Sequence, residues 1–565
     1  MSTIPLPRTY LPSKLRQVIA GDKDRLEELG SWTKFVEEKR GSGDFSSLGN
    51  VHHPAKRLLT DLKYRGAPVR FKTEAWSRDD ISGALARGAH KSCREYLEFL
   101  HEEFIDMIQK GQWVILPAST VQDMPGLRIS PPGCVPQTGR RPRWIVDYTF
   151  SGVNDDTLPI AALEAMQFGH ALDRILREIL LADPSLGPVQ MLKVDLSDGF
   201  YRINLNVDDI PKLGVVFPTQ PGEEQLIAFP LVLPMGWKNS PPIFSTATES
   251  IADAANLAAR RHVEPAPHPL EEQAEAVKPM NPLHPSRPAP QIAKPTLSPH
   301  AASFHMPTEP TVDPVPSTGT ASTASAMHAT SAFASTKSCN ADTSPPSVPT
   351  LSYPCTPTTR DPCLPLSGQQ VSYIDIFVDD FVGLSQGYSN GRRVRRILMH
   401  AIDDVFRPLA ESDNAFRRQP ISVKKLLQGD CSWSTIKLVL GWIIDTAEMT
   451  IHLPPHREER LAEILASIPI HQRRTSVKKW HKVLGELRSM ALALPGARNL
   501  FSHMQHALTN KIGGRVALNK GVHQALDDFR WILNDIASRP TRIAELIPLL
   551  PSAEGPHDAS GLGGG

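Results

Sequence analysis

Residues 374–384 read IDIFVDDFVGL. An apolar strand runs straight into the adjacent carboxylates Asp379 and Asp380, and the chain then leaves as a second apolar strand. Two acids at the buried edge of a β-hairpin are costly unless something positive meets them. A divalent metal ion is one such partner, although an Asp pair by itself also suits an ordinary turn.

Upstream, MLKVDLSDGFYRINL (Met191–Leu205) sets Asp195 at the end of another apolar strand, with Asp198, Gly199 and Phe200 directly after it. Hard cations such as Mg²⁺ take oxygen ligands and usually keep substrate phosphates in their shell. One carboxylate from each of two neighbouring strands would build that kind of site, and a plain strand-to-turn junction accounts for this stretch equally well. Between the two acidic segments lies LVLPMGWKNSPPIFSTATESI (Leu231–Ile251). It reads as a strand, a turn, and a helix beginning near Pro241. A capped helix explains Ser240 and Pro241 but leaves Met235, Gly236 and Trp237 without a role.

The rest of the chain has the composition of a folded protein. Its 565 residues have room for two to four domains, and 40% hydrophobic and 21% charged residues are near the globular average. A net charge of +1 carries no global signature for nucleic acid, though a neutral protein can hold a basic cleft. The six cysteines (Cys93, Cys134, Cys339, Cys355, Cys363, Cys431) form no CxxC pair, which argues against structural zinc and a disulfide framework. No apolar run reaches the ~18 residues of a membrane span, and the N-terminus lacks an apolar signal core. The expectation is a soluble protein of a reducing compartment, with no membrane partner.

Residues 1–52 include a helix-like stretch, Lys14 to Glu38, with too few apolar positions to define a core. CREYLEFLHEEFIDMIQKGQWVILP (Cys93–Pro117) predicts a helix stopped at Gly111 and then a strand. RWIVDYTFSGVN (Arg143–Asn154), KLGVVFP, LIAFPLVLP and KLVLGWIIDT also read as strands. Helices are expected over 163–181, 241–259, 391–406 and 457–468, and across much of 477–549. An α+β fold with a central, largely antiparallel sheet accounts for this order. Of 52 prolines, 21 fall between 261 and 370. That segment cannot bury enough apolar surface to offset its ordering entropy, so it reads as a disordered insertion.

Taken together and in order, these motifs resemble the reverse transcriptases of retroelements, over roughly His53 to Thr446. Asp195 matches the first catalytic aspartate of that family. FVDD (Phe377–Asp380) matches its YxDD box, with Phe377 in place of tyrosine. LPMGWKNSPPIF (Leu233–Phe244) resembles the retroviral LPQGWKxSPxIF element, with Met235 replacing glutamine. The resemblance implies a right-hand polymerase: fingers over 53–190, a palm over 191–260 and 371–446 interrupted by the insertion 261–370, and a helical thumb or connection over 447–549.

It also implies a site. Asp195, Asp379 and Asp380 would hold two Mg²⁺ ions, with Mn²⁺ as a substitute. Arg143 would contact the incoming triphosphate, with Asp147 and Asn154 around it, while Asp198 and Gly199 would offer backbone N–H groups. Phe200 would be the steric gate against a ribose 2′-hydroxyl, Met235 and Gly236 would lie near nucleotide and template, and Lys424 or Lys425 would be the lysine of the later palm segment. The partners implied are an RNA or DNA template with its primer, and deoxynucleoside triphosphates (dNTPs). PHDASGLGGG (Pro556–Gly565) resembles the first strand of a ribonuclease H domain with Asp558 as its first ligand, so residues 550–565 as given should lack that activity. Two other classes stay open at this point: an RNA-dependent RNA polymerase, and a retroelement relic that only binds nucleic acid.

Overall fold

The computed structural model describes residues 11–40, 48–137, 140–160, 166–220, 222–279, 281–282, 368–407, 419–491, 494, 497–509 and 513–547. They form an α+β protein whose strands make five sheets among the described residues.

The chain opens with helices α1 (Ser13–Leu29) and α2 (Trp32–Arg40). These correct the expectation that residues 1–52 contribute no core. Leu15, Ile19, Phe35 and Val36 are buried and belong to the larger of two hydrophobic cores. A few apolar positions suffice because Gly30, at φ 57°, turns the chain back so that the second helix adds its face to the first. Trp32 donates to the Val207 carbonyl at 3.1 Å and meets Phe229 edge-on. Arg40 donates to the carbonyls of Leu205 and Leu231 at 2.6 and 2.7 Å, tying α2 to the body of the protein.

Helix α3 (Leu97–Gln109) buries Leu100, Phe104 and Met107, and Gly111, at φ 67°, follows it. Strand β1 (Trp113–Pro117) then enters a four-stranded sheet with β2 (Ile129–Ser130), β6 (Gly214–Phe217) and β7 (Leu226–Pro230), in the order β1-β7-β6-β2. Every residue of these four strands is buried, which is why β1, β6 and β7 read as unbroken apolar runs rather than as alternations. Strands β3 (Pro132–Gln137) and β4 (Arg140–Val146) form a separate hairpin.

Helix α4 (Ala171–Leu180) precedes β5 (Gln190–Asp195). Strand β5 pairs with β9 (Asp380–Ser385), which pairs with β8 (Ser372–Phe377), both antiparallel. The single central sheet expected from sequence is thus divided: β6 and β7 join β1, and only three strands surround the acidic segments. Period-2 alternation places Leu192 and Val194 in the larger core and Met191 in the smaller one, so this sheet lies between the two.

Helix α5 (Ser240–Arg260) carries a proline in its first turn, where a missing N–H costs nothing. The segment after it departs from the expected insertion. Residues 261–279 fold back, with helix α6 (Glu271–Ala276) packed near α7 (Tyr388–Phe406). Leu270 and Ala274, four residues apart, are buried. Buried Glu271 accepts from Arg396 at 2.8 and 2.9 Å and from Arg392 at 3.3 Å. Buried His268 lies 3.0 Å from Asp403. A proline count over a long window hides so short a packed stretch; residues 283–367 of the expected insertion lie outside the described residues.

Helix α8 (Val423–Leu426) and strands β10 (Ile436–Val439), β11 (Trp442–Asp445) and β12 (Thr450–His452) lead to the C-terminal third. There α9 (Pro455–Ala466), α10 (Val477–Met490), α11 (Phe501–Thr509) and α12 (Lys520–Ser538) build the smaller core around Trp480, Leu487 and Phe529. Strand β13 (Arg474–Ser476) pairs with β14 (Arg515–Ala517), and β15 (Thr541–Arg542) closes the order β10-β11-β12-β15. No described helix is long and apolar enough to cross a membrane. Residues 550–565, with Asp558, lie outside the described residues.

Candidate active site

The acidic motifs meet at one end of the β5-β9-β8 sheet. Asp195, the last residue of β5, stands directly opposite Asp380, the first residue of β9, and Asp380 in turn faces Phe377 on β8. Asp379 occupies the hairpin turn beside Val378, whose φ of 59° is a conformation that β-branched residues rarely adopt. The Leu196 N–H donates to the Asp379 carbonyl at 3.2 Å, and Ser422 N–H donates to the Asp195 carbonyl at 2.8 Å, so turn, strand end and α8 are fastened together.

Two cations lie on this cluster. Lys425 Nζ donates to Asp195 Oδ1 and is 3.9 Å from Asp380 Oδ1. Burial works against the charge of Lys425, but its hydrogen bond to Asp195 and the surrounding carboxylates raise its pKa above the ordinary lysine value. The neighbouring Lys424 is exposed and shows no contact with the acids. In a helix the two side chains point about 100° apart, so only one can face the site. Lys193, two residues before Asp195, lies 3.9 Å from Asp380 Oδ1 and 3.7 Å from Asp430 Oδ2. Sequence reading passed over Lys193 and Asp430, yet an i, i+2 spacing from Asp195 on a strand is enough to put Lys193 on the same face.

Burial, reinforced by Asp380 and Asp379, pushes the Asp195 carboxyl up to about 7, against the opposing hydrogen bond from Lys425. Asp379 is raised as well, by burial first and then by Asp380, while Lys425 and Arg143 oppose the shift. A carboxyl whose folded pKa exceeds its ordinary 3.8 holds its proton more tightly in the folded state. Its stabilising contribution is therefore complete below that ordinary value and is lost as pH rises through about 7. In metal-free buffer the melting temperature should fall between pH 5 and pH 8, and Asp195→Asn should flatten that part of the profile. Calorimetry across the range checks it; an equally steep decline in the variant would remove Asp195 as the cause.

Around the acids stand the other expected residues. Asp198 (φ 63°) and Gly199 (φ 45°) turn the chain after β5. A Cβ built on Gly199 would lie 3.7 Å from Asp379 Oδ2, so this backbone passes close to the acids. Asp198 lies 3.5 Å from Lys110, another cation that sequence reading missed. Arg143, exposed on β4, donates to Met235 Sδ at 3.4 Å. Both border a groove of about 420 Å³ together with Arg141, Trp144 and Tyr201. Phe200 is nearly buried and meets Phe244 edge-on at 5.0 Å between ring centroids, so its ring is also a core contact.

The turn before α5 is built against β4. Gly236 has φ 93°, and a Cβ there would lie 2.7 Å from the Val146 carbonyl oxygen, so only glycine fits. Asn154 donates to the Gly236 carbonyl at 2.9 Å and accepts from Lys238 N–H at 2.9 Å. Trp237 donates to Thr157 at 3.2 Å, and Asn239 donates to the Leu158 carbonyl at 2.9 Å. Asp147 receives Phe150 N–H at 2.9 Å and lies 3.1 Å from His90. The motifs Arg143–Asn154 and Leu233–Phe244 are thereby stitched into one unit.

Among the described residues, no three His, Cys, Asp or Glu side chains are gathered so as to hold a metal ion as they stand. The chemistry of the donors nevertheless suits a hard divalent cation: all are carboxylate oxygens, and Asp380 Oδ1 is buried without a hydrogen-bond partner. Positive charge is demanded here, and the Lys425 ammonium supplies it. An incoming ion and that ammonium would compete for the same oxygen of Asp195.

No protein-family model matches the chain, and no curated protein matches it. Among solved structures it is similar to a foamy viral protease-reverse transcriptase dRH in complex with ds DNA, at a TM-score of 0.38 and 12% identity over 95% of this chain and 62% of that one. It is also similar to the foamy viral protease-reverse transcriptase in complex with RNA/DNA hybrid, at 0.40 and 12% over 96% of this chain and 48% of that one. The chain thus spans less than two thirds of the length of either.

Proposed function

We propose that the protein is an RNA-directed DNA polymerase that adds deoxynucleotides to a primer 3′-hydroxyl. The observation that carries this reading is the cross-strand pairing of Asp195 with Asp380, with Asp379 in the adjoining turn and Lys425 against them. In this reading the β5-β9-β8 sheet is the palm, the β3-β4 hairpin and its neighbours are the fingers, and α9 to α12 form the thumb or connection.

Asp195, Asp379 and Asp380 would hold two Mg²⁺ ions, which when bound lower the pKa of the attacking hydroxyl and neutralise the triphosphate and leaving pyrophosphate. The chain's own groups do the rest. Arg143 and Lys110 supply positive charge for phosphate oxygens. The N–H groups of the Asp198–Gly199 turn would donate to the same ligand. Glycine at 236 lets the chain run against β4 at the groove edge.

Phe200 would set the sugar specificity, excluding a 2′-hydroxyl by contact. Because its ring also packs on Phe244, Phe200→Ala should cost about 3 kcal/mol of stability, and Phe200→Val is the milder probe. The valine variant should use ribonucleotides roughly 10²-fold better relative to deoxynucleotides. An unchanged ratio of kcat/KM values would remove Phe200 from that role.

The test of the whole reading is extension of a DNA primer on an RNA template with Mg²⁺ and dNTPs. Incorporation in template order supports it. A folded, RNA-binding protein that incorporates nothing leaves the relic reading, and preference for ribonucleotides leaves the RNA polymerase reading.

A further inference from the structure

Asp380 Oδ1 is buried and has no hydrogen-bond partner, yet two ammonium groups, those of Lys193 and Lys425, each lie 3.9 Å from it. It is held by charge rather than locked by a directional bond. Lys193 is little exposed, and its second neighbour is the Asp430 carboxylate at 3.7 Å. A little-exposed ammonium between two carboxylates is pulled both ways, and its distance to one is set by the charge of the other.

Asp430 is firmly placed. Its carbonyl accepts the Lys193 backbone N–H at 2.9 Å and also the ammonium of buried Lys437 at 2.9 Å, which donates to the Gly429 carbonyl at 3.2 Å as well. Two residues on, Ser432 Oγ donates to the Val277 carbonyl at 2.5 Å. The 429–432 loop is thus pinned to β5 on one side and to the folded residues after α5 on the other. None of these groups touches the groove beside Arg143.

We propose that Asp430 is a positioning residue for the candidate site: by drawing the Lys193 ammonium toward itself, it keeps an oxygen of Asp380 available to a divalent cation. The inference rests on the polymerase reading. Without the Asp430 charge, Lys193 falls back onto Asp380 and competes with the cation, as Lys425 does at Asp195.

The probe is Mn²⁺, titrated into the full chain and followed by the electron paramagnetic resonance signal of the free ion, beside the Mg²⁺ concentration giving half-maximal primer extension. Asp430→Asn should weaken Mn²⁺ binding and raise the Mg²⁺ requirement about tenfold, the size typical when a residue supporting a metal ligand is lost. Asp430→Glu should restore both, and melting temperatures in EDTA should match the wild type. In a Lys193→Met background, Asp430→Asn should have no further effect, because its target is gone. Equal Mn²⁺ affinity in wild type and Asp430→Asn, or the same loss with Lys193 absent, overturns the proposal while leaving the polymerase reading intact. A wild-type chain that neither binds Mn²⁺ nor extends primers overturns both.

Discussion

Replacing Asp379 and Asp380 together by asparagine is expected to lower primer extension at least about 10³-fold, since it removes negative charge from the place where the polymerase reading puts its divalent ions. Asparagine keeps the shape and one oxygen of each side chain, including an oxygen able to accept the backbone N–H of residue 379 in the turn. The loss should therefore be one of chemistry and not of folding. Burial and mutual repulsion already raise Asp379, so removing these charges relieves an electrostatic cost, partly offset by what Lys425 and Lys193 lose. The metal-free double variant should melt at or near the wild-type temperature. Single-nucleotide incorporation rates, with circular dichroism on the same samples, check both halves. A variant as active as the wild type would place any polymerase chemistry elsewhere.

Arg174→Met is expected to act on stability rather than on chemistry. Arg174, on α4, grips Asp375 of β8 with two hydrogen bonds, Nε to Oδ2 at 2.8 Å and Nη2 to Oδ1 at 2.6 Å. Asp375 is only 3% exposed, so methionine would leave a buried carboxylate without its cation. Breaking such a pair from one side typically costs 3–5 kcal/mol. The lower end, about 3 kcal/mol, is expected because the Tyr373 hydroxyl and Ile376 N–H still donate to Asp375, at 2.6 and 2.8 Å. Urea denaturation should show a lower midpoint at unchanged slope. Adding Asp375→Asn to the same chain should recover part of the loss by removing the stranded charge. No recovery would mean that Arg174 acts through its packing alone.

Much of the element list could be read from the chain because its causes are local. Apolar runs and alternations marked β1, β5, β8 and β9, and the spacing of Leu100, Phe104 and Met107 marked α3. Proline near the start of α5 and glycine after α3 marked helix boundaries to within a residue or two. Local reading failed where a few residues are packed by distant partners. Residues 14–38 looked too poor in apolar positions for a core until α2 turned back on α1. Residues 261–279 were hidden in a proline-rich window, although Glu271 and His268 bind side chains of α7.

The same division holds at the candidate site. That Asp379 and Asp380 end an apolar strand, and that Asp195 ends another, is written in the order of residues. So is the presence of a glycine at 236. Which groups face one another is not, because strand register and helix rotation depend on contacts far apart along the chain. A one-residue slip of β5 against β9 would send Asp195 to the opposite face. A rotation of about 100° separates Lys425, on the acids, from exposed Lys424. Sequence by itself determined most of the strands and helices and the acids at the ends of two strands, since periodicity is a property of neighbouring residues. Only tertiary structure decided that Asp195 meets Asp380, that Lys193 lies between Asp380 and Asp430, and that Arg143 shares a groove with Met235, since each pairing follows from how separate elements bury their apolar faces together.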